Sequence, residues 1–295
     1  MIEIVIFVLP NELSHLGDTI NRLYESSRYL TLEQRKNLKL NVVMGVSDEI
    51  INWNESKITK EEVTDRFLKM KKLVDWTDNC IFETSIEING CTSMRMKSSK
   101  SNSDYYIWLD TDIIFDPFVL PNMLNSVKVA ETQTSSFIIT PEIVRQWDTT
   151  WDCLVNERFI DKEIGYQSKN NPYTDTFIKE GTKISLIEVR NNIIGQPYMK
   201  FAGGWFVLIS SKFLEKIPFP NGFTHYGLED TYLMWGAQVL QDPKIIQYKL
   251  KNVIVCENYY DRNTTSTDDL VLIDRREEYK NHNQSLINSG LQSLV

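Results

Sequence analysis

The run YYIWLDTDIIFDP, from Tyr105 to Pro117, carries two carboxylates one residue apart, Asp110 and Asp112. They follow directly on five apolar or aromatic residues, so a buried strand would end by presenting Asp110, Thr111 and Asp112 at its tip. Two carboxylates at a strand end can converge on one hard divalent cation. Mg²⁺ and Mn²⁺ prefer oxygen ligands and keep positions for water and phosphate oxygens. Such a cation would neutralise a diphosphate and act on it as a Lewis acid when it departs. Two plainer roles also suit the pair: Asp112 as cap of a helix beginning near Pro117, or both acids as turn residues.

A second group of candidates lies in KFAGGWFVLISSKFLEKIPFPNGFTHYGLEDTYL, from Lys200 to Leu233. Gly203-Gly204 lets backbone come close to a ligand or another strand. Glu229-Asp230 opens a helical stretch, where carboxylates complement the helix dipole. Alternatively, one of the two points into a cleft and takes a proton from an attacking hydroxyl. Arg95 could meet a phosphate or ribose, or be a solvated helix residue. His225 could bind acceptor or phosphate, or simply stand at a helix start. Trp147 and Trp151, beside Arg145 and Asp148, could stack on sugar faces or pack a core at helical spacing.

These residues need a frame. Ile2 to Leu9 is a near-continuous apolar run, the mark of a strand buried on both faces. Helical spacing follows over Leu16 to Tyr29, then a second buried strand over Leu38 to Val46. An amphipathic helix spans Lys60 to Val74, a third strand Cys80 to Ile86, a helix Cys91 to Ser101 and a fourth strand Tyr105 to Leu109. Strands alternating with helices predict an α/β fold with a mostly parallel sheet and right-handed crossovers. Ligands in such sheets bind at the carboxyl ends of the strands. That directs attention to Pro10–Glu12, Ser47–Asp48, Glu83–Thr84 and Asp110–Asp112. Beyond them the chain predicts strands at Phe137 to Thr140, within Lys200 to Ile209, at Lys244 to Tyr248 and at Asn252 to Val255. Helices are predicted over Tyr226 to Leu240 and Asp274 to Leu286, with frayed last residues. Pro141 to Val189, rich in aromatic, polar and charged residues, reads as a substrate-facing region or mobile loop.

Composition narrows the function classes. The 295 residues hold 32 Lys+Arg and 40 Asp+Glu, a formal charge of 32 − 40 = −8. Such a surface repels a phosphate backbone and argues against a general nucleic-acid binder. With 42% hydrophobic residues the chain is globular. Cys80, Cys91, Cys153 and Cys256 form no C-x-x-C pair, which argues against a zinc cluster and for reduced thiols. The opening MIEIVIFVLP contains Glu3, has no basic flank, and reads as a strand rather than a signal peptide. No apolar run approaches the roughly 20 residues of a membrane span. A cytoplasmic protein is the expectation, and the sequons at Asn54, Asn263 and Asn283 carry little weight.

The order of a strand, D-x-D, a G-G-aromatic strand and an E-D helix resembles the GT-A fold of nucleotide-sugar-dependent glycosyltransferases. The resemblance runs from Ile2 to about Tyr260. IVIFVLPNE and the Ser47–Asp48 turn are similar to the nucleotide-binding start of family 2 enzymes. WLDTDIIFDPFVLPNML and FAGGWFVLISSKF…FPNGFTHYGLEDTYL are also similar to fungal mannan-polymerase mannosyltransferases. The resemblance implies one GT-A domain: a nucleotide-binding half over 1–126, an irregular acceptor-binding half over 127–260 and a helical tail over 261–295. It implies a UDP- or GDP-sugar donor, a glycan or glycoconjugate acceptor, and Mn²⁺ or Mg²⁺. Pro10, Asn11, Glu12 and Asp48 would border the nucleotide base and ribose, and Arg95 and Thr111 would stand at the nucleotide. Asp110 would approach ribose and metal, and Asp112 would ligate the metal directly. Asp230 would be the general base of an inverting enzyme, with Glu229 orienting the acceptor hydroxyl. Gly203, Gly204, Trp205, His225 and Trp151 would line the donor-sugar or acceptor pocket. The late histidine ligand that GT-A enzymes commonly supply has no counterpart in NVIVCENYYDR, where Glu257 is the hard-ligand candidate.

Two other classes compete. A haloacid dehalogenase-type phosphatase uses D-x-D as nucleophile and acid, but places it after the first strand of its core with Gly-Thr nearby. Here three strands precede the motif and Ile113-Ile114 follow it. A non-catalytic sugar-nucleotide or glycan binder on a GT-A scaffold would also suit the missing histidine.

Overall fold

Alternate residues of the first strand serve two separate cores. Ile4, Ile6 and Val8 enter one apolar cluster and Val5, Phe7 and Leu9 the other, so the unbroken apolar run of the sequence has a use on each face. The structure, a computed structural model, describes residues 1–53, 59–88, 90–144, 184–188, 206–223, 227–257 and 267–294. In chain order these form β1 (Ile2–Val8), a 3₁₀ turn (Pro10–Glu12), α1 (Leu13–Ser27), α2 (Leu32–Lys36), β2 (Leu38–Gly45) and α3 (Asp48–Trp53). Next come α4 (Lys60–Met70), a second 3₁₀ turn (Lys71–Leu73), β3 (Cys80–Ser85), α5 (Cys91–Ser98), β4 (Tyr105–Leu109), β5 (Ile113–Phe115) and α6 (Val119–Glu131). They are followed by β6 (Ser136–Val144), β7 (Leu186–Glu188), β8 (Phe206–Ser210), α7 (Ser211–Lys216), α8 (Glu229–Leu240), β9 (Ile245–Glu257) and α9 (Thr267–Gln292).

The strands join in one sheet of order β3-β2-β1-β4-β8-β6-β9-β5, with β7 also paired to β9. β3, β2, β1 and β4 run parallel, as the strand–helix alternation predicts. Beyond β4 the sheet is mixed: β8 is antiparallel to both β4 and β6, while β6 and β9 are parallel. The expected α/β architecture therefore forms. α1, α4 and α6 cover one face through Leu16, Ile20, Phe67, Leu120 and Met123. α5, α7, α8 and α9 cover the other through Met94, Phe213, Tyr232, Leu233 and Ile287. Each fully buried large apolar side chain contributes about 1.5–3 kcal/mol. No described helix is long and apolar enough to cross a membrane.

The short α2, α3, β7 and α7 are unforeseen, and three further differences concern β9, β5 and the tail. The two short strands predicted near Lys244 and Asn252 form a single strand, β9: β6 and β7 pair it up to Leu250 and β6 and β5 pair it again from Ile254, with Lys251–Val253 bulged between them. Its register on β6 shifts between Pro141 and Ile143, where a proline has no N–H for the ladder. β5, unforeseen, turns the chain directly after Asp112. It leaves Phe118 at the cap of α6, without a side-chain cap bond, so Asp112 does not cap that helix. The expected frayed last residues are instead packed: Leu291 and Leu294 lie against the second core.

At the amino edge of the sheet, Glu3 is 1% exposed. Its carboxylate accepts hydrogen bonds from Lys39 (3.0 Å), Asn41 (2.9 Å), Ser101 (2.7 Å) and Ser103 (2.9 Å). Burial pushes its pKa up, but these four donors together outweigh burial and hold it below the usual carboxylate value. A lowered folded pKa stabilises the protein above the unfolded pKa and loses that effect as pH falls through the folded one. Glu3→Gln is therefore expected to cost about 1–3 kcal/mol at pH 7. In urea denaturation the gap to the parent should narrow below pH 4.5, the unshifted carboxylate value.

Candidate active site

The parallel strands deliver their carboxyl ends to one edge. β1 passes into Pro10–Glu12, where the Glu12 carboxylate accepts the Leu9 N–H at 3.0 Å. Pro10 is buried, Asn11 exposed and Glu12 half-buried. β2 passes into α3, whose first residue, Asp48, is exposed. β4 passes into Asp110-Thr111-Asp112. Thr111 is buried, and its carbonyl accepts the Thr19 hydroxyl at 2.5 Å, pinning this loop to α1. Asp112 is 5% exposed and lines a cleft of about 160 Å³ with His15, Asp18, Thr19, Asn21, Arg22 and Ile113.

Arg95 is the centre of the site. It lies on α5, 5% exposed, with its guanidinium carbon 5.4 Å above the Trp108 ring. Nη2 donates to Asp110 Oδ1 at 2.6 Å, and Nη1 pairs with Glu229 Oε1. Thr92 Oγ1 donates to Glu229 Oε2 at 2.8 Å, and Cys91 Sγ stands 3.9 Å from Oε1. Positions 91, 92 and 95 fall on one face of a 3.6-residue helix, so α5 offers a sulfur, a hydroxyl and a cation to one carboxylate. Burial opposes the charge on Arg95, but Asp110 and Glu229, with Cys91 and Asp230 behind them, keep its pKa above the ordinary arginine value.

Glu229 and Asp230 divide sharply. Glu229 is 2% exposed and turned inward onto α5. Asp230, one residue on, is half-buried, and its Oδ1 accepts the Thr231 N–H at 2.7 Å. The sequence treats them as a pair; the structure ties Glu229 to the D-x-D strand and leaves Asp230 half-buried at the helix start. Thr92 was not foreseen, since one threonine on a short polar helix carries no signal until its partner is known.

Asp110 shows the charge surplus of the site. Some 32% of its side chain meets solvent, yet the protein crowded around it pushes its pKa up to about 7. Arg95 pulls it down, while Asp112, Glu229 and Glu12 push it further up. Four carboxylates thus crowd this corner, with Arg95 paired to two of them. All these donors are oxygens, so an added hard divalent cation fits both the charge and the chemistry. Among the described residues no three His, Cys, Asp or Glu side chains form a metal cluster. Asp110 and Asp112 would hold such an ion together with water and phosphate oxygens. The backbone of Glu257 pairs with Ile113, beside the D-x-D loop, and its side chain lies outside the described set. Arg145, Trp147, Asp148, Trp151, Gly203, Gly204, Trp205 and His225 lie outside the described residues.

No protein-family model matches the chain, and no curated protein matches it. Solved structures with a similar course of chain include the mannosyltransferase PcManGT from Pyrobaculum calidifontis in complex with GDP-Man and Mn²⁺. It is 12% identical with a TM-score of 0.49, over 88% of this chain and 57% of that one. S. aureus TarS 1-349 is 11% identical with a TM-score of 0.49, over 87% and 60%. The same TarS piece in complex with UDP-GlcNAc gives 9% and 0.46, over 90% and 61%. This chain therefore spans 57–61% of the length of those structures.

Proposed function

We propose that this chain is a metal-dependent glycosyltransferase of the GT-A type, moving a sugar from a nucleoside diphosphate sugar to a hydroxyl of a glycan or glycoconjugate. One observation carries the reading. At the carboxyl edge of a parallel sheet, a buried arginine joins the D-x-D carboxylate Asp110 to the Glu229–Asp230 helix start. Donor-binding and proton-accepting groups are thereby held at a fixed separation, which group transfer to an activated hydroxyl requires.

Each residue takes a task that its position supports. Pro10, Asn11, Glu12 and Asp48, on adjacent strand tips, border the nucleoside. Asp112, which lines a cleft, and Asp110, paired with Arg95, would hold Mn²⁺ or Mg²⁺. When bound, the ion supplies Lewis-acid stabilisation of the diphosphate. Asp230 accepts the proton of the acceptor hydroxyl as its oxygen bonds to the anomeric carbon and the bond from that carbon to the diphosphate oxygen breaks. Glu229, 2% exposed and paired with Arg95, anchors the start of α8 beside Asp230. Gly203, Gly204, Trp205, His225 and Trp151 remain candidates for the sugar pocket on their sequence pattern.

The test is a thermal-shift titration with UDP, GDP, UDP-GlcNAc and GDP-mannose, each with and without Mn²⁺. Binding at a hundredfold excess over Kd stabilises by about 2.7 kcal/mol. Asp112→Ala is expected to abolish the metal-dependent part of that shift, and a shift that survives the substitution removes Asp112 from the metal shell. A donor that binds but is neither hydrolysed nor transferred with any of several metals would favour the non-catalytic binder.

A further inference from the structure

The turn entering α8 is built from two consecutive left-handed residues, Gly227 at φ +88° and Leu228 at φ +71°. Glycine adopts this conformation freely, whereas leucine does so only where its surroundings impose it. The carboxyl-terminal half of α9 supplies those surroundings. Asn283 is 0% exposed, and its Nδ2 donates to the Gly227 carbonyl at 2.9 Å. The preceding residue, His282, donates from Nε2 to the carbonyl of Gly222, another left-handed residue, at 3.0 Å. Two adjacent residues of one helix thus hold the described ends of the segment that leads to Glu229-Asp230.

Packing fixes α9 in this place. Ile287 is fully buried in the second core. At Gly290 an added Cβ would stand 2.6 Å from Pro220 and 3.0 Å from the Tyr232 ring, so α9 lies hard against both α8 and its approach. The Tyr232 N–H in turn donates to the Leu228 carbonyl at 2.8 Å, the bond that starts the helix.

We infer that Asn283 is a positioning residue: by holding the Gly227–Leu228 turn it sets the start of α8, and with it the buried place of Glu229 and the half-buried place of Asp230. The catalytic consequence rests on the reading of Asp230 as the base; the structural claim does not. Nothing in the immediate sequence of the E-D motif predicts it, because the controlling side chain arrives from 53 residues downstream of Asp230 (283 − 230).

The experiment compares Asn283→Ala and Asn283→Asp, which keeps the shape and loses the donor, with Ile287→Ala, which weakens the same helix but keeps the hydrogen bond. All are made in the full chain and compared at matched global stability. Amide exchange at Tyr232 should accelerate at least tenfold in both Asn283 variants relative to Ile287→Ala. With Mn²⁺ and whichever of GDP-mannose or UDP-GlcNAc binds, donor Kd should stay within twofold while hydrolytic kcat falls about tenfold. Unchanged Tyr232 exchange overturns the inference whatever the activity. Accelerated exchange with intact kcat overturns the positioning role. Accelerated exchange in a chain whose parent cleaves no sugar nucleotide upholds the hold on the turn and counts against the glycosyltransferase reading.

Discussion

Arg95→Met lowers the stability of the folded chain by about 3–5 kcal/mol, the cost of breaking a buried ion pair from one side. The loss comes chiefly from Glu229. Its carboxylate is buried against α5, and without the guanidinium it keeps only Thr92 and the weak Cys91 contact among its described partners. Asp110 suffers less, because part of its side chain meets solvent. The coupling makes a second expectation sharper than the first. Arg95→Met combined with Glu229→Gln should be less unstable than the sum of the two single variants by at least 1 kcal/mol, since the double variant strands no charge at position 229. Arg95→Lys should recover little, as a single ammonium cannot address two carboxylates through a planar fork. Urea denaturation of the four chains at pH 7 reads all of this. Strict additivity would falsify the view that Arg95 and Glu229 act as one unit.

Why was Arg95 half-visible in the sequence and its partners not? The D-x-D was legible because a strand buried on both faces leaves its own signature, and the polar residues that end it stand out against Tyr105 to Leu109. The strand boundaries there agree with the structure to the residue. The same contrast exposed β1 and β2. It failed at β9, where Lys251-Asn252 resembles a turn and is instead a bulge that the paired residues on either side keep within one strand. It failed again at the tail, where Ile287, Leu291 and Leu294 keep helical spacing but are diluted by Asn, Ser, Gly and Gln. A helix-borne arginine is solvated in most settings. What buries Arg95 is the arrival of Asp110 from the adjacent strand and Glu229 from 134 residues away. Asn283 is hidden for the same reason, and its burial also explains why the sequon at that position carries no weight. Local pattern reveals elements; convergence of side chains across the sheet edge does not leave a local pattern.

Asp230→Asn should leave donor binding within about twofold and reduce turnover by about 10²–10⁴-fold, the usual contribution of a positioned general base. The substitution is nearly isosteric, and an amide oxygen can still accept the Thr231 N–H, so the start of α8 is expected to hold. Stability should change by under about 0.5 kcal/mol, the range for a substitution that empties no cavity and buries no charge. The contrast with its neighbour gives the prediction its force. Glu229→Gln weakens a buried ion pair and should lower stability and turnover together, because it acts through the placement of α8. Asp230→Asn should lower turnover alone, and with it the rise of kcat with pH that a base must lose its proton to produce. The two variants therefore separate holding from proton transfer at adjacent positions of one helix. If Asp230→Asn turns over at the parent rate with the parent pH profile, the acceptor's proton leaves by another route. The half-buried place of Asp230 at the start of α8 would then have no part in the chemistry.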